Sequence, residues 1–153
     1  MAETYASYQV EGWGVGEMWL EGDLLLLHEL PRAAGRNGGD THPLADRMIA
    51  YFAGEPDDFL DIEVDLEAAT DFERSLTEAL RRVPRGETVS YGELAALAGR
   101  PRAQRAAGTF CARNRFGIVV PCHRVVAADG LGSYGSLGVE YKRRLLELEG
   151  VSV

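Results

Sequence analysis

Apolar residues recur along this chain at two different spacings. Over residues 8–31, short apolar runs alternate with glycine-containing breaks at Gly12-Trp13-Gly14-Val15-Gly16 and Glu21-Gly22-Asp23. Runs bounded in this way predict a β-meander, with Leu24-Leu25-Leu26-Leu27 as a buried strand. Residues 32–41 are rich in Gly, Asn and Asp and read as a loop. The spacing then changes: Leu44, Met48, Ile49 and Phe52 fall on one helical face, which predicts a helix over 42–53, with Gly54 as its stop. Residues 55–68 are acidic, and Ile62, Val64 and Leu66 alternate as in a strand or an extended linker.

Charge and period both shift near 66–70, which predicts a domain boundary there, with an N-terminal domain over 1–69 and a C-terminal domain over 70–153. Helical signals dominate the second part. Thr70-Asp71-Phe72-Glu73 is a capping box, with Phe72, Leu76, Ala79, Leu80 and Val83 as the buried face behind it and Pro84 and Gly86 as terminators. Ser90-Tyr91-Gly92-Glu93 is a second capping box, and Gly99 closes the short helix it opens. Pro101 suits the first turn of the next helix, 101–112, which carries Arg102 and Arg105. Two short helices joined by a glycine turn, the second one basic, form a helix-turn-helix pattern. A glycine-rich loop over 130–138 precedes a last helix, 139–149. Glu149 stands in its final turn, where a carboxylate opposes the helix dipole.

Composition is ordinary for a globular protein, with 46% hydrophobic and 26% charged residues. Two cysteines make no disulfide framework and suit a reducing compartment. The N-terminus has no basic segment of a signal peptide, and no apolar run is long enough to span a bilayer. A cytoplasmic protein is expected. The net charge of −8 is unevenly spread: residues 1–83 hold 18 acidic and 6 basic residues, residues 84–153 hold 6 and 10. From Arg100 to Arg124 there are six arginines and no acid. Screening makes local charge decide contact with a polyanion, so this stretch is a candidate nucleic-acid surface.

The densest chemistry lies at Pro121-Cys122-His123-Arg124-Val125, directly after the apolar run Ile118-Val119-Val120. Thiolate is the reactive form of cysteine, and an adjacent base favours it, so Cys122 beside His123 reads as an activated nucleophile. Cys111, among apolar neighbours, reads as a structural thiol.

This constellation resembles the O6-alkylguanine-DNA alkyltransferases over residues 70–150. The landmarks are Glu87 to Ala95, Arg105-Ala106-Ala107-Gly108, Asn114, Pro121 to Val125, and Leu145 to Gly150. The resemblance implies a ribonuclease-H-like α/β domain, an antiparallel sheet plus helix, followed by a mostly α domain with the helix-turn-helix. It implies that Cys122 accepts the alkyl group and that His123 takes the thiol proton through a water. Glu149 then orients His123, Asn114 braces the active-site turn, and Tyr91 helps rotate the nucleotide. Arg105 fills the gap in the base stack, Arg100 and Arg102 meet phosphates, and Ala106 and Gly108 let the helix approach the minor groove. Tyr134 and the Cys122 and Val125 carbonyls hold the guanine, whose oxygen receives a backbone N–H from Gly135 or Ser136. The partner is duplex DNA containing O6-alkylguanine, met by a monomer. Each molecule reacts once.

The sequence departs from the family at Asn114-Arg115, where members carry Asn-Pro, which predicts a looser turn. The zinc ligands of some members' N-terminal domains are absent, so no metal and no cofactor is expected. Three other readings exist: a lesion sensor without repair chemistry, a helix-turn-helix regulator with a redox thiol, and a cysteine hydrolase. The sensor is disfavoured because such proteins lack the acceptor cysteine.

Overall fold

The computed structural model describes residues 2–153. The chain divides into two compact units. The first holds the residues up to Asp65 together with Arg115–Gly117; the second holds Leu66–Asn114 and Ile118–Val153. The second unit thus begins at 66 and yields three residues in mid-chain to the first, a feature with no mark in the charge pattern.

In the first unit, β1 (Glu3–Val10), β2 (Gly14–Glu21) and β3 (Leu24–Arg32) form an antiparallel sheet in that order. Alternation places Ala6, Tyr8 and Val10 on the inner face of β1, opposite α1 (Pro43–Phe52), which contributes Leu44, Met48, Tyr51 and Phe52. The four-leucine run is not buried throughout: only Leu25 is fully enclosed. The reason is a bulge. Trp19 faces Leu27 but Leu20 faces Leu25, so Leu26 is an extra residue. An extra residue reverses the parity of the positions after it, and His28 points inward instead of Leu27. Residues 55–68 form no strand, only a single bridge from Val64 to Leu25.

The second unit is mostly helical. The α2 helix (Asp71–Arg81) begins with a complete capping box, Thr70 accepting from the Glu73 N–H and Glu73 from the Thr70 N–H. Ser90 and Glu93 do the same for α3 (Tyr91–Leu97). Each cap satisfies N–H groups that a helix start leaves without partners, and is worth about 1 kcal/mol. The next helix, α4 (Gln104–Ala112), starts three residues later than the position of Pro101 suggests, because 101–103 form a turn and Ala103 offers no side-chain cap. The α3 and α4 helices pack against each other, and α2 packs on α3. A short parallel pair, β4 (Val89–Ser90) with β5 (Val125–Val126), and α5 (Val139–Leu148) complete the unit. The β4–β5 pairing does the functional placing. It sets the start of α3, with Tyr91, beside the turn that carries Cys122.

No helix among the described residues is long and apolar enough to cross a membrane.

Candidate active site

The apolar run Ile118-Val119-Val120 is a turn. Ile118 has φ +74, and Val120 O accepts both the Asn114 Nδ2 (2.8 Å) and the Cys122 backbone N–H (2.8 Å). Those two bonds fold the segment on itself and deliver Cys122 into a 3-10 turn, Cys122–Arg124. All three side chains of that turn are buried.

Burial raises the Cys122 thiol above its ordinary range, because it penalises the anion. Hydrogen bonds from the Asn114 and Tyr134 side chains and the charge of Lys142 act the other way. The imidazole next door is not on the sulfur. His123 Nε2 lies 2.9 Å from Glu149 Oε2, and Nδ1 is buried with no hydrogen-bond partner among the described residues. Sequence adjacency therefore does not make the thiol and imidazole a contact pair. Burial also lowers the His123 pKa, against the upward pull of Glu149.

Glu149 caps α5 at its C-terminal end, and its side chain folds inward. Burial alone would raise its pKa, but hydrogen bonds and charge from His123 and Arg124 outweigh this and hold it well below the usual carboxylate range. The Arg124 pairing is bidentate, Nε to Oε1 at 2.9 Å and Nη2 to Oε2 at 2.8 Å, with Nη1 on Val83 O at 2.7 Å. An ionised carboxylate can only accept, so His123 carries its proton on Nε2 and keeps a lone pair at Nδ1. The dipole conflict expected at Glu149 is thus resolved by two cationic or proton-bearing partners.

The matching family profile is "6-O-methylguanine DNA methyltransferase, DNA binding domain", over residues 71–151, more than half of the chain. The chain belongs to this family. It is 50% identical over 105 residues to a methylated-DNA–protein-cysteine methyltransferase of Mycobacterium bovis, an alignment covering 68% of this chain and 62% of that protein. The chain therefore matches less than two thirds of the length of that relative. The crystal structure of Mycobacterium tuberculosis O6-methylguanine methyltransferase superposes with TM-score 0.79 at 34% identity, covering 97% of this chain and 93% of the other. A structure described as Mycobacterium tuberculosis OGT in complex with DNA gives 0.78 at 35%, covering 95% and 92%.

The other residues for which the methyltransferase family suggests roles lie around this turn, on α3 and α4, and in the segment between those helices. Tyr91 opens α3, half-buried, with its hydroxyl raised in pKa by burial and by the two nearby thiols. A Cβ on Gly132 would lie 3.0 Å from that hydroxyl, so the glycine lets the 130–138 loop close over it. Tyr134 stacks on Tyr141 at 6.2 Å, and Gly135 and Ser136 follow it, exposed, in a second 3-10 turn, Gly135–Leu137. Arg100, Arg102, Arg105 and Ala106 are exposed on the α3–α4 side, and Arg100 lies over the Phe72 ring at 4.6 Å. Gly108 is half-buried and faces Tyr91, while Ala107 is wholly buried.

One of the six arginines is not a surface charge for a polyanion: Arg124 is buried and committed to Glu149. Arg115 is exposed and donates to the carbonyls of Leu26 and Asp65, each at 3.2 Å. Cys111 is pushed up to about 12, first by burial and then by the nearby Cys122, so it stays a thiol at neutral pH.

One residue near the thiol was missed in the sequence pattern. Lys142, the only lysine, is completely buried. Its Nζ donates to Val125 O at 2.6 Å and Ser133 O at 3.3 Å and sits 5.8 Å from the Tyr91 ring centre. The Val125 carbonyl, expected to meet guanine, is thus already an acceptor for lysine. Burial lowers the Lys142 pKa, and Cys122 and Cys111 pull it back. The one hint available in the sequence is a lone lysine in a chain that otherwise uses arginine.

Proposed function

We propose that this protein repairs O6-alkylguanine in duplex DNA by moving the alkyl group, irreversibly and once per molecule, to Cys122. The observation that carries the reading is the Cys122–His123–Glu149 arrangement. It has a sulfur held by Asn114 and Tyr134, a histidine proton fixed on Nε2 by Glu149, and a buried lone pair left at Nδ1. Membership of the family, and the names of the relatives, support the same assignment.

Cys122 sulfur attacks the alkyl carbon, forming S–C as C–O breaks, and the bonding pair leaves on guanine oxygen. The thiol proton passes through a water to His123 Nδ1, and Glu149 stabilises the imidazolium. A buried nitrogen without a protein partner is a place where such a water is satisfied. The raised thiol pKa means that the resting thiol is protonated and the anion forms only as the relay takes the proton. Lys142 favours both the thiolate and the negative charge on leaving guanine. Proton donation from the Tyr91 hydroxyl neutralises that guanine.

Guanine O6 is inaccessible in a stacked duplex, so the base must be flipped. In this reading α3 and α4 are a helix-turn-helix. Arg105 enters the stack and Arg102 meets phosphate, offsetting the few kcal/mol that unstacking costs. Ala106 is the small exposed residue that permits close approach in the minor groove. Gly135 and Ser136 are the two candidates for the N–H on guanine oxygen. The first unit takes the ribonuclease-H-like role, and the protein acts as a monomer in the cytoplasm without metal or cofactor.

The test uses a duplex with one O6-methylguanine. Restored guanine is expected in amounts that saturate at one per protein molecule. Tight binding with no restored guanine would contradict the proposal and favour a lesion sensor.

A further inference from the structure

A second buried polar cluster lies in the first unit, and the chemistry makes no direct use of it. His28 of β3 places Nδ1 2.7 Å from Gly117 O and Nε2 2.6 Å from the Tyr8 hydroxyl. A carbonyl can only accept, so Nδ1 carries the proton; the neutral ring then accepts at Nε2 from Tyr8. Two glycines make room for this contact. Tyr8 crosses β2 at Gly16, where a Cβ would lie 2.2 Å from its ring. Leu30 presses on Gly117, where a Cβ would lie 2.4 Å from its Cδ1.

The backbone of the same segment is fixed as well. The His28 N–H donates to Arg115 O at 2.8 Å, and the Arg115 side chain is held by the Leu26 and Asp65 carbonyls. Residues 115–117 are thereby a strap belonging to the first unit, while Asn114 before them and Ile118 after them belong to the second. Both neighbours matter to the thiol. Asn114 bonds Cys122 and Val120, and Ile118 carries a positive φ, a conformation a β-branched residue keeps only where its surroundings enforce it.

We propose that His28 is a positioning residue for Cys122. Its Gly117 and Tyr8 bonds pin the strap, and the strap holds Asn114 and Val120 where they set the sulfur. The inference rests on the proposed alkyl transfer for its main readout.

The test compares full-length wild type with His28→Ala, His28→Asn and Tyr8→Phe. Asparagine keeps a donor near the position of Nδ1, and phenylalanine removes only the hydroxyl. Three quantities are read: the transfer rate at saturating O6-methylguanine duplex, the Kd for that duplex in a Cys122→Ser background, and the thermal midpoint. Displacing reacting groups by a fraction of an ångström is expected to slow His28→Ala about tenfold and Tyr8→Phe about threefold, with Kd unchanged. His28→Asn should recover most of the rate. A folded His28→Ala that transfers at the wild-type rate would overturn the inference. So would loss of rate and binding together, or His28→Asn as slow as His28→Ala at the same thermal midpoint. If His28→Ala does not fold, Tyr8→Phe decides, and a wild-type rate there overturns it. If wild type transfers nothing, the functional reading fails on its own. Alkylation of Cys122 by iodoacetamide across the same variants then tests the strap, and equal rates overturn it.

Discussion

Two histidines are buried among the described residues, one in each unit, and burial lowers the pKa of both. Their surroundings differ in kind. His28 has a neutral partner on each nitrogen, a carbonyl and a hydroxyl. His123 has a carboxylate on one nitrogen and no protein partner on the other. The first arrangement is complete and holds a position. The second is incomplete and leaves a basic lone pair at Nδ1, the acceptor that the proposed relay needs. A carboxylate alone would not make the distinction, because Glu149 also serves Arg124; the unsatisfied Nδ1 does.

The largest effects should come from breaking the second arrangement. Cys122→Ser should lower transfer by at least about a thousandfold while leaving lesion binding intact, measured by repair kinetics and by titration. A variant that still repairs would contradict the mechanism. His123→Ala comes next, with an expected loss of about a hundredfold or more at neutral pH, since the proposed proton acceptor is gone. Glu149→Gln combines chemistry with stability. It leaves Arg124 buried beside a neutral amide, and about 3 kcal/mol of unfolding free energy should be lost in denaturant titrations.

Lys142→Met sharpens the comparison from the side of the sulfur. Removing a cation that lowers the thiol pKa should raise that pKa further. The rise of the transfer rate with pH then moves to higher pH, with about a tenfold lower rate at neutrality. An unshifted profile would mean that Lys142 only packs and holds the Val125 carbonyl.

The titration of His28 should be visible in stability. Its folded pKa is about 4 against 6.5 for the free side chain, so the unfolded chain binds more protons between those values. Stability from this group is present above about 6.5 and is lost as pH falls toward 4. The loss is about 3 kcal/mol at most. Tyr8→Phe should reduce it, measured by thermal or urea midpoints over that range. The smallest effect is expected from Arg105→Ala. It should slow repair in duplex DNA several-fold and leave reaction with free O6-benzylguanine unchanged.

The two histidines also mark the boundary of what sequence can reveal. Thr70 and Ser90 were legible because a capping box is a local pattern whose two bonds lie within four residues. Cys122, His123 and Glu149 were legible as chemistry out of place: a thiol beside a base, and an acid at the wrong end of a helix. Lys142 was not, because a lysine in a charged helix reads as solvated, and only the β5 and Ser133 carbonyls make its burial tolerable. The inward turn of His28 was hidden for a different reason. It depends on a bulge at Leu26, and nothing in a run of four leucines marks which one is extra. The 118–120 turn was not legible either, because three apolar residues carry no sign of a positive φ at Ile118.

The most direct test of the proposed transfer is the mass of the intact protein after incubation with duplex DNA containing one O6-methylguanine, with peptide mapping of the product. The expected result is the gain of a single CH₂ group, located on the sulfur of Cys122, with Cys111 unmodified. A methyl group on Cys111, or an unmodified protein beside repaired DNA, would contradict it.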